Sequence, residues 1–328
     1  MITSSSMALR LLRGAIAAAV LGAGLAHGAG FPEKPVTLVV PYPPGGATDT
    51  VARIMAKGLA ARLGQTVIVD NKAGAGTVIG AGAVANAPPD GYTLLISSNT
   101  TFTINPALKA KLPYDPLKSF ESIGLLGSSP LVLLAHPSLP ANSVAELVAL
   151  AKAQPGKLSF ASFGAGTTSH FAGEMFKLMT GTNIVHVPYK GSAPAMQDLI
   201  GGQVQLSFDT NVASIPQIQA GKVKGLAVTS RKPSASLPKL PSVAQAGYPD
   251  YEMVPWITIV APRGLAAPAR AALGKAFADC VNDPALRAEL QKVGVDVAYE
   301  PGSAYDTRVA DELPRLRAYV HKAGLTVD

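Results

Sequence analysis

From Val36 onward the apolar positions alternate between two spacings. Val36 to Val40 is a continuous apolar run, as in a buried strand, and Val51, Ile54, Met55 and Leu59 then recur at helical spacing until Gly64. Thr66 to Asp70 predicts a second strand, Val78 to Ala87 a helix of small residues, and Pro89-Asp90-Gly91 a turn into a strand over Tyr92 to Ser97. A second series of strands covers Leu131 to His136, Lys157 to Ser162, Ile184 to Pro188, Val204 to Phe208 and Val223 to Thr229. Helices lie between them, one opening on Ser143 and Glu146 at capping-box spacing. Continuous apolar strands separated by helices predict an α/β protein with parallel sheets covered on both faces.

Two turn-rich passages interrupt the alternation, Asn99 to Ser129 and Lys232 to Pro255, and these are where the chain is expected to cross between lobes. An apolar strand, Trp256 to Pro262, follows the second; the C-terminal part is helical, with one short strand at Val295 to Tyr299 and Pro314 at or near a kink.

The first thirty residues follow another logic. Arg10 and Arg13 precede a small, apolar run from Gly14 to Ala26, and Ala26-His27-Gly28 presents small residues where a signal peptidase reads. At about 13 residues the run is short of the roughly 20 that span a bilayer, so residues 1–30 are expected to be a cleaved secretory signal. Removing its two arginines from the 28 basic residues leaves 26 against 21 acids, a net charge of +5. Only 15% of residues are charged and no basic block is interleaved with aromatics, so no nucleic-acid surface is expected. Cys280 is the only cysteine, which excludes an internal disulfide and a thiolate metal cluster and reads as a buried helical thiol.

The candidate chemistry lies in two glycine-rich junctions. In Val39-Val40-Pro41-Tyr42-Pro43-Pro44-Gly45-Gly46-Ala47-Thr48-Asp49-Thr50, the prolines hold the chain extended while Gly45 and Gly46 leave backbone N–H groups bare at a helix start, where an anion is favoured. Ser162-Phe163-Gly164-Ala165-Gly166-Thr167-Thr168-Ser169-His170 repeats the pattern in the second series. If both face one cleft, they grip one ligand. Neither has the Lys-Ser/Thr ending of a phosphate loop, and neither Gly164-Ala165-Gly166 nor Gly74-Ala75-Gly76 has dinucleotide spacing. No Gly-x-Ser-x-Gly elbow is present, adjacent Ser169 and His170 would diverge from a helix start, and the histidines lack metal-ligand spacing. No catalytic residue, cofactor or metal is therefore assigned. Asp49 reads as helix-dipole compensation, while Asp209, ending an apolar strand, either accepts from a ligand or ties down a loop.

The succession PYPPGGATD, DNKAGAGTVIG, PDGYTLL, INPAL, LPYDP, SFGAGTTSHFAGEMF, VPYKGSAPAMQDLIGGQVQLSFD and LPSVAQAGYPDYEMVPW resembles the Bug-type substrate-binding proteins of tripartite tricarboxylate transporters, from about residue 31 to the C-terminus. The resemblance implies a two-lobed periplasmic binding protein of the type II, Venus-flytrap kind, with two mixed or parallel sheets and an interlobe cleft. Residues 31–130 with 255–328 would form the first lobe and 131–254 the second. It implies a non-enzymatic monomer that captures a small organic acid and delivers it to a membrane permease. A ligand sensor for a signalling receptor is the alternative, and a secreted hydrolase is less favoured. Carried onto this chain, the implied ligand-binding residues are Tyr42, Gly45, Gly46, Ala47 and Thr48 on one side and Gly164, Gly166, Thr167, Thr168 and His170 on the other. Lys190 and Asp209 are further contributors, although Lys190 also reads as a surface turn. Thr101-Phe102-Thr103, Ala73 and Thr258 depart from the family's usual residues. Phe102 would add apolar surface if it reached the cleft, but packing against the lobe is its preferred role.

Overall fold

The computed structural model describes residues 31–325, so the expected secretory signal lies outside the described residues. The apolar runs become strands and the helical-period segments become helices. In chain order the first part comprises β1 (Val36–Val40), α1 (Ala47–Leu63), β2 (Val67–Asn71), α2 (Val78–Ala85), β3 (Thr93–Ser98), a π-turn (Thr100–Ile104), α3 (Asn105–Leu108) and β4 (Phe120–Ser128). There follow β5 (Leu131–Ala135), α4 (Val144–Ala153), β6 (Ser159–Ser162), α5 (Thr168–Thr180), β7 (Val185–Pro188), α6 (Ser192–Ile200), β8 (Leu206–Thr210), α7 (Asn211–Gln219) and β9 (Lys224–Val228). The chain closes with β10 (Trp256–Pro262), α8 (Ala267–Asn282), α9 (Pro284–Lys292), β11 (Asp296–Pro301) and α10 (Ala304–Ala323), which runs through Pro314.

These elements form a two-lobed α/β fold of the periplasmic-binding-protein kind around two sheets. The six-stranded sheet has the order β11-β4-β10-β3-β1-β2, and the five-stranded sheet β7-β6-β8-β5-β9. Both are mixed, one of the two arrangements that the resemblance implied, whereas the apolar runs by themselves pointed to parallel sheets. β1 runs parallel to β2 and β3, but β10 returns antiparallel between β3 and β4, and β5 lies antiparallel to both β8 and β9. The direct step from β4 through Ser129-Pro130 into β5 and the Pro-rich return before β10 enter their sheets without a helical crossover, which is what a parallel neighbour requires.

Phe102 lies in the core, fully buried. Its ring stacks on Trp256 at 5.8 Å between centroids and meets Phe120 and Tyr305 edge-on at 5.7 and 5.2 Å. Cys280 is buried as expected, and burial pushes its thiol up to about 11.

Both chain crossings meet one carboxylate on α10. Glu312 accepts from Asn99 Nδ2 (3.2 Å) and Thr103 Oγ1 (3.1 Å) beside the first crossing, and from Trp256 Nε1 (2.6 Å) at the end of the second. Asn99, Thr103 and Trp256 are all buried. In Glu312→Gln an amide N–H₂ replaces one acceptor and faces a buried donor, so this variant is expected to lose about 1–3 kcal/mol of stability. A urea midpoint equal to that of the wild type would contradict this.

Candidate functional site

The loop after β1 is braced from within. Gly45, in the left-handed region at φ +78°, donates its N–H to Asp49 Oδ2 (2.9 Å), and Arg53 adds a two-nitrogen grip on Asp49 at 2.9 and 3.0 Å. Asn71 Nδ2 donates to the other Asp49 oxygen at 3.0 Å. Burial works against the charge, yet the hydrogen bonds from Arg53, Gly45 and Asn71 outweigh it and hold the Asp49 carboxyl below its ordinary value. Asp49 is thus a loop brace, and the Gly45 amide is spent on it. Gly46, the residue before α1, has no side chain to cap the helix, so the first N–H groups of α1 lack an internal partner. Tyr42, Gly46, Ala47 and Thr48 line a narrow pocket between the lobes.

The second glycine-rich loop is wired differently from the expectation. The Gly164 N–H donates to Ser162 Oγ (3.2 Å), and the Gly166 N–H to His170 Nδ1 (3.2 Å). Thr167 caps α5, accepting from the His170 N–H (3.4 Å) and donating to the Gly164 carbonyl (2.8 Å). The Thr168 N–H donates across the lobes to Thr100 Oγ1 (3.0 Å), and Thr168 Oγ1 to Asn99 Oδ1 (2.9 Å). These amides face protein groups, not open space. Thr168 still lines the pocket, whereas Gly164 and Thr167 line an adjoining interlobe groove and Gly166 and His170 line neither.

The fold also gathers His170, Glu174 and His186, which their sequence spacing did not suggest. The two imidazoles stack face to face at 4.1 Å with planes 23° apart, so their in-plane lone pairs do not converge on one point. His186 Nε2 is engaged by Ser162 Oγ (2.6 Å) and Glu174 by Lys177 Nζ (2.8 Å to each oxygen). Burial pushes His170 below its ordinary value; burial, the neighbouring His170 and Lys177 push His186 down to about 3. Burial thus disfavours the charged form of both rings, and through Ser162 and the Gly166 N–H the stacked pair fixes the second loop.

The pocket's far wall comes from a junction that the sequence reading treated as a turn. Gly191 precedes α6 at φ 122° and ψ 177° and provides no side-chain cap, and Gly191, Ser192 and Ala193 line the pocket. A Cβ at Gly191 would sit 3.1 Å from Pro43 Cδ, so the two uncapped helix starts approach each other across the cleft. Ser192 Oγ donates to both oxygens of Asp209 (2.9 Å each), and the Thr210 N–H donates to Oδ1 (2.8 Å). Asp209 is fully buried, and that burial pushes its carboxyl up to about 8 although Ser192, the Thr210 N–H and the nearby Thr210 hydroxyl, which is not at hydrogen-bond geometry, all favour the charged form. It stands one side chain behind the pocket wall, tying down the start of α6. Lys190 is exposed and lines the adjoining groove instead.

The cavity volume is about 50 Å³, a few waters' worth at roughly 10–15 Å³ each. Among the described residues, none that lines it carries a charge. Ser129 Oγ and Thr210 Oγ1, which the sequence reading missed, are buried in its wall without a hydrogen-bond partner among the described residues. The one sequence signal for the α6 jaw was Tyr189-Lys190-Gly191-Ser192, again a strand, a glycine and a helix start, but with one glycine.

Comparison with known proteins agrees with this architecture. The family described as "Tripartite tricarboxylate transporter family receptor" matches residues 51–325. Protein BugT of Bordetella pertussis is 35% identical over 295 residues, covering 90% of each chain. Among solved structures, periplasmic binding protein BugD superposes with a TM-score of 0.86 at 38% identity, over 90% of this chain and 99% of its own. A Rhodopseudomonas palustris protein solved with adipate gives 0.87 at 35%, over 90% and 99%; MatC from the same organism, with bound malate, gives 0.82 at 31%, over 88% and 100%. The chain belongs to the tripartite tricarboxylate transporter receptor family and is a non-enzymatic solute-binding receptor.

Proposed function

We propose that this receptor works in the periplasm, closes as a monomer on a short organic acid and delivers it to a tripartite tricarboxylate permease. The observation that carries the reading is the convergence of two uncapped helix starts, at Gly46 and Gly191, on one pocket whose lining bears no charge. Such starts offer free N–H groups and the positive end of the helix dipole, so they hold a carboxylate without a buried cation or its desolvation cost. The adipate and malate held by relatives support the ligand class. The proposed lobes are 31–130 with 255–328 and 131–254, in keeping with the strands of each sheet. Contacts from both lobes give the closed state the higher affinity, which drives closure. The proposed grip includes Tyr42, Gly46, Ala47, Thr48 and Thr168 from the sequence expectation, and adds Gly191, Ser192 and Ala193.

Thermal unfolding of ligand-stripped protein against mono-, di- and tricarboxylates tests this. At about a hundred times its dissociation constant a true ligand adds roughly 2.7 kcal/mol, an upward shift of a few degrees. No shift with any acid would overturn the reading.

A further inference from the structure

Ser129 and Thr210 form a small polar station that the carboxylate grip does not use. Ser129 is 2% exposed and Thr210 8% exposed; both residues line the pocket, their hydroxyl oxygens are buried in its wall, and neither oxygen has a partner at hydrogen-bond distance among the described residues. The two are brought together by the crossing between the sheets. Leu131 pairs in register with Thr210, and the Asn211 N–H donates to the Pro130 carbonyl at 3.0 Å, which sets Ser129 beside the end of β8. The Ser129 N–H is itself held by the Pro255 carbonyl (3.0 Å), so the second crossing closes the same corner. Buried hydroxyls normally find partners, and two orphans in the wall of one pocket are groups that a ligand's hydrogen-bonding atom would satisfy.

We infer that Ser129 and Thr210 are a second ligand subsite, at the hinge end of the cleft, that takes an uncharged hydrogen-bonding group such as an amide or a hydroxyl on an acid whose carboxylate sits between the starts of α1 and α6. The inference rests on the carboxylate reading above. Hydroxyls both donate and accept, so they suit a neutral amide or alcohol. A second carboxylate at this end would be buried with no cation in the lining to offset its desolvation. Val51, Val212 and Ile257, all buried in the same wall, cover the ligand's carbon chain between its two ends. A site built to hydrogen-bond a polar group discriminates strongly against the analogue that lacks it, because its own groups are then left unpaired.

The test is calorimetric titration at pH 7 with near-isosteric pairs of three to five carbons: malonate and malonamate, succinate and succinamate, glutarate and glutaramate. The unsubstituted monocarboxylates of the same lengths serve as the third arm. The best monoamide is expected to bind about tenfold tighter than its diacid twin. Ser129→Ala and Thr210→Val are each expected to weaken the monoamide about tenfold and to leave the unsubstituted acid within about threefold, with melting temperatures of the unliganded variants near the wild type's as the folding control. Equal or tighter binding of the diacid, or variants that bind the monoamide like the wild type, would overturn the subsite while leaving the carboxylate grip standing. Failure of every acid to bind the wild type would instead remove the carboxylate reading and the subsite with it.

Discussion

Gly191→Val is expected to bind the receptor's ligand at least a hundredfold more weakly than the wild type while still folding. At φ 122° and ψ 177°, Gly191 occupies a region that is essentially glycine's alone. Any side chain there also meets the opposite lobe, since a Cβ would sit 3.1 and 3.2 Å from Pro43 Cδ and Cγ. Valine adds two methyl groups to that Cβ. Either the start of α6 retreats, taking the Ser192 and Ala193 amides with it, or the lobes stop short of closing; both outcomes remove one jaw. A hundredfold is about 2.7 kcal/mol, which the loss of charge-assisted hydrogen bonds supplies. The backbone strain costs about 1–3 kcal/mol against a typical stability of roughly 5–15 kcal/mol, so the fold survives. Gly221→Ala is the control: Gly221 is also left-handed, at φ +66°, but a Cβ there meets nothing within 4 Å, and binding should be unchanged. Titration calorimetry decides, and wild-type affinity in Gly191→Val would remove α6 from the grip.

Asp209→Asn should change how stability depends on pH. Burial pushes the folded carboxyl to about 8, against about 3.9 for an aspartate in an unfolded chain. Between those values the folded protein holds a proton that the unfolded chain has released, so this group makes stability fall as pH rises, by up to about 1.4 kcal/mol per unit. His186 works in the other direction. Its folded value of about 3 lies below the 6.5 of an ordinary histidine, so over that interval the unfolded chain holds the extra proton and stability rises with pH. The two oppose each other from about pH 4 to 6.5, and above that only the Asp209 contribution remains. Wild-type stability is therefore expected to fall by about 2 kcal/mol between pH 6.5 and 8. Asparagine keeps an acceptor for Ser192 Oγ and the Thr210 N–H but has no proton to lose, and its profile should level off above pH 6.5. Urea midpoints at half-unit pH intervals measure this; a flat wild-type profile there, or an equal decline in the variant, would contradict it.

Strands made of unbroken apolar runs were legible to within one or two residues at each end, and Val36–Val40 and Trp256–Pro262 have the expected limits. β4 was not, because Glu121, Ser122, Gly124, Gly127 and Ser128 break its apolar pattern. Two of those residues are there for packing. A Cβ at Gly124 would meet the Phe277 ring at 2.5 Å, and one at Gly127, at φ 138°, would run into the Asp296 carbonyl on the neighbouring strand. Strand direction was equally hidden, since it depends on where the chain re-enters each sheet and not on any local pattern.

The site divides in the same way. The bare helix start at Gly46 follows from local composition and was visible in Pro43-Pro44-Gly45-Gly46. The engagement of Gly164, Gly166 and Thr168 was not, because their partners include a side chain four residues on and a threonine 68 residues away in the other lobe. The Gly191 junction looked like a surface turn because only the fold brings it against Pro43. Ser129 and Thr210 carry no sequence signal at all; their interest lies in having no partner, which is a property of the folded interior.

The central claim is that the ligand's carboxylate is held by the starts of α1 and α6. The most direct measurement is a ¹⁵N–¹H TROSY titration of the assigned protein with the acid that raises its melting temperature most. The account predicts large downfield shifts of the amide protons of Gly46, Ala47, Thr48, Ser192 and Ala193, with the Gly164 and Gly166 amides, which are hydrogen-bonded to Ser162 and His170, moving little. Strong shifts at Gly164 and Gly166 with the α6 start unmoved would contradict it and return the second jaw to the loop before α5.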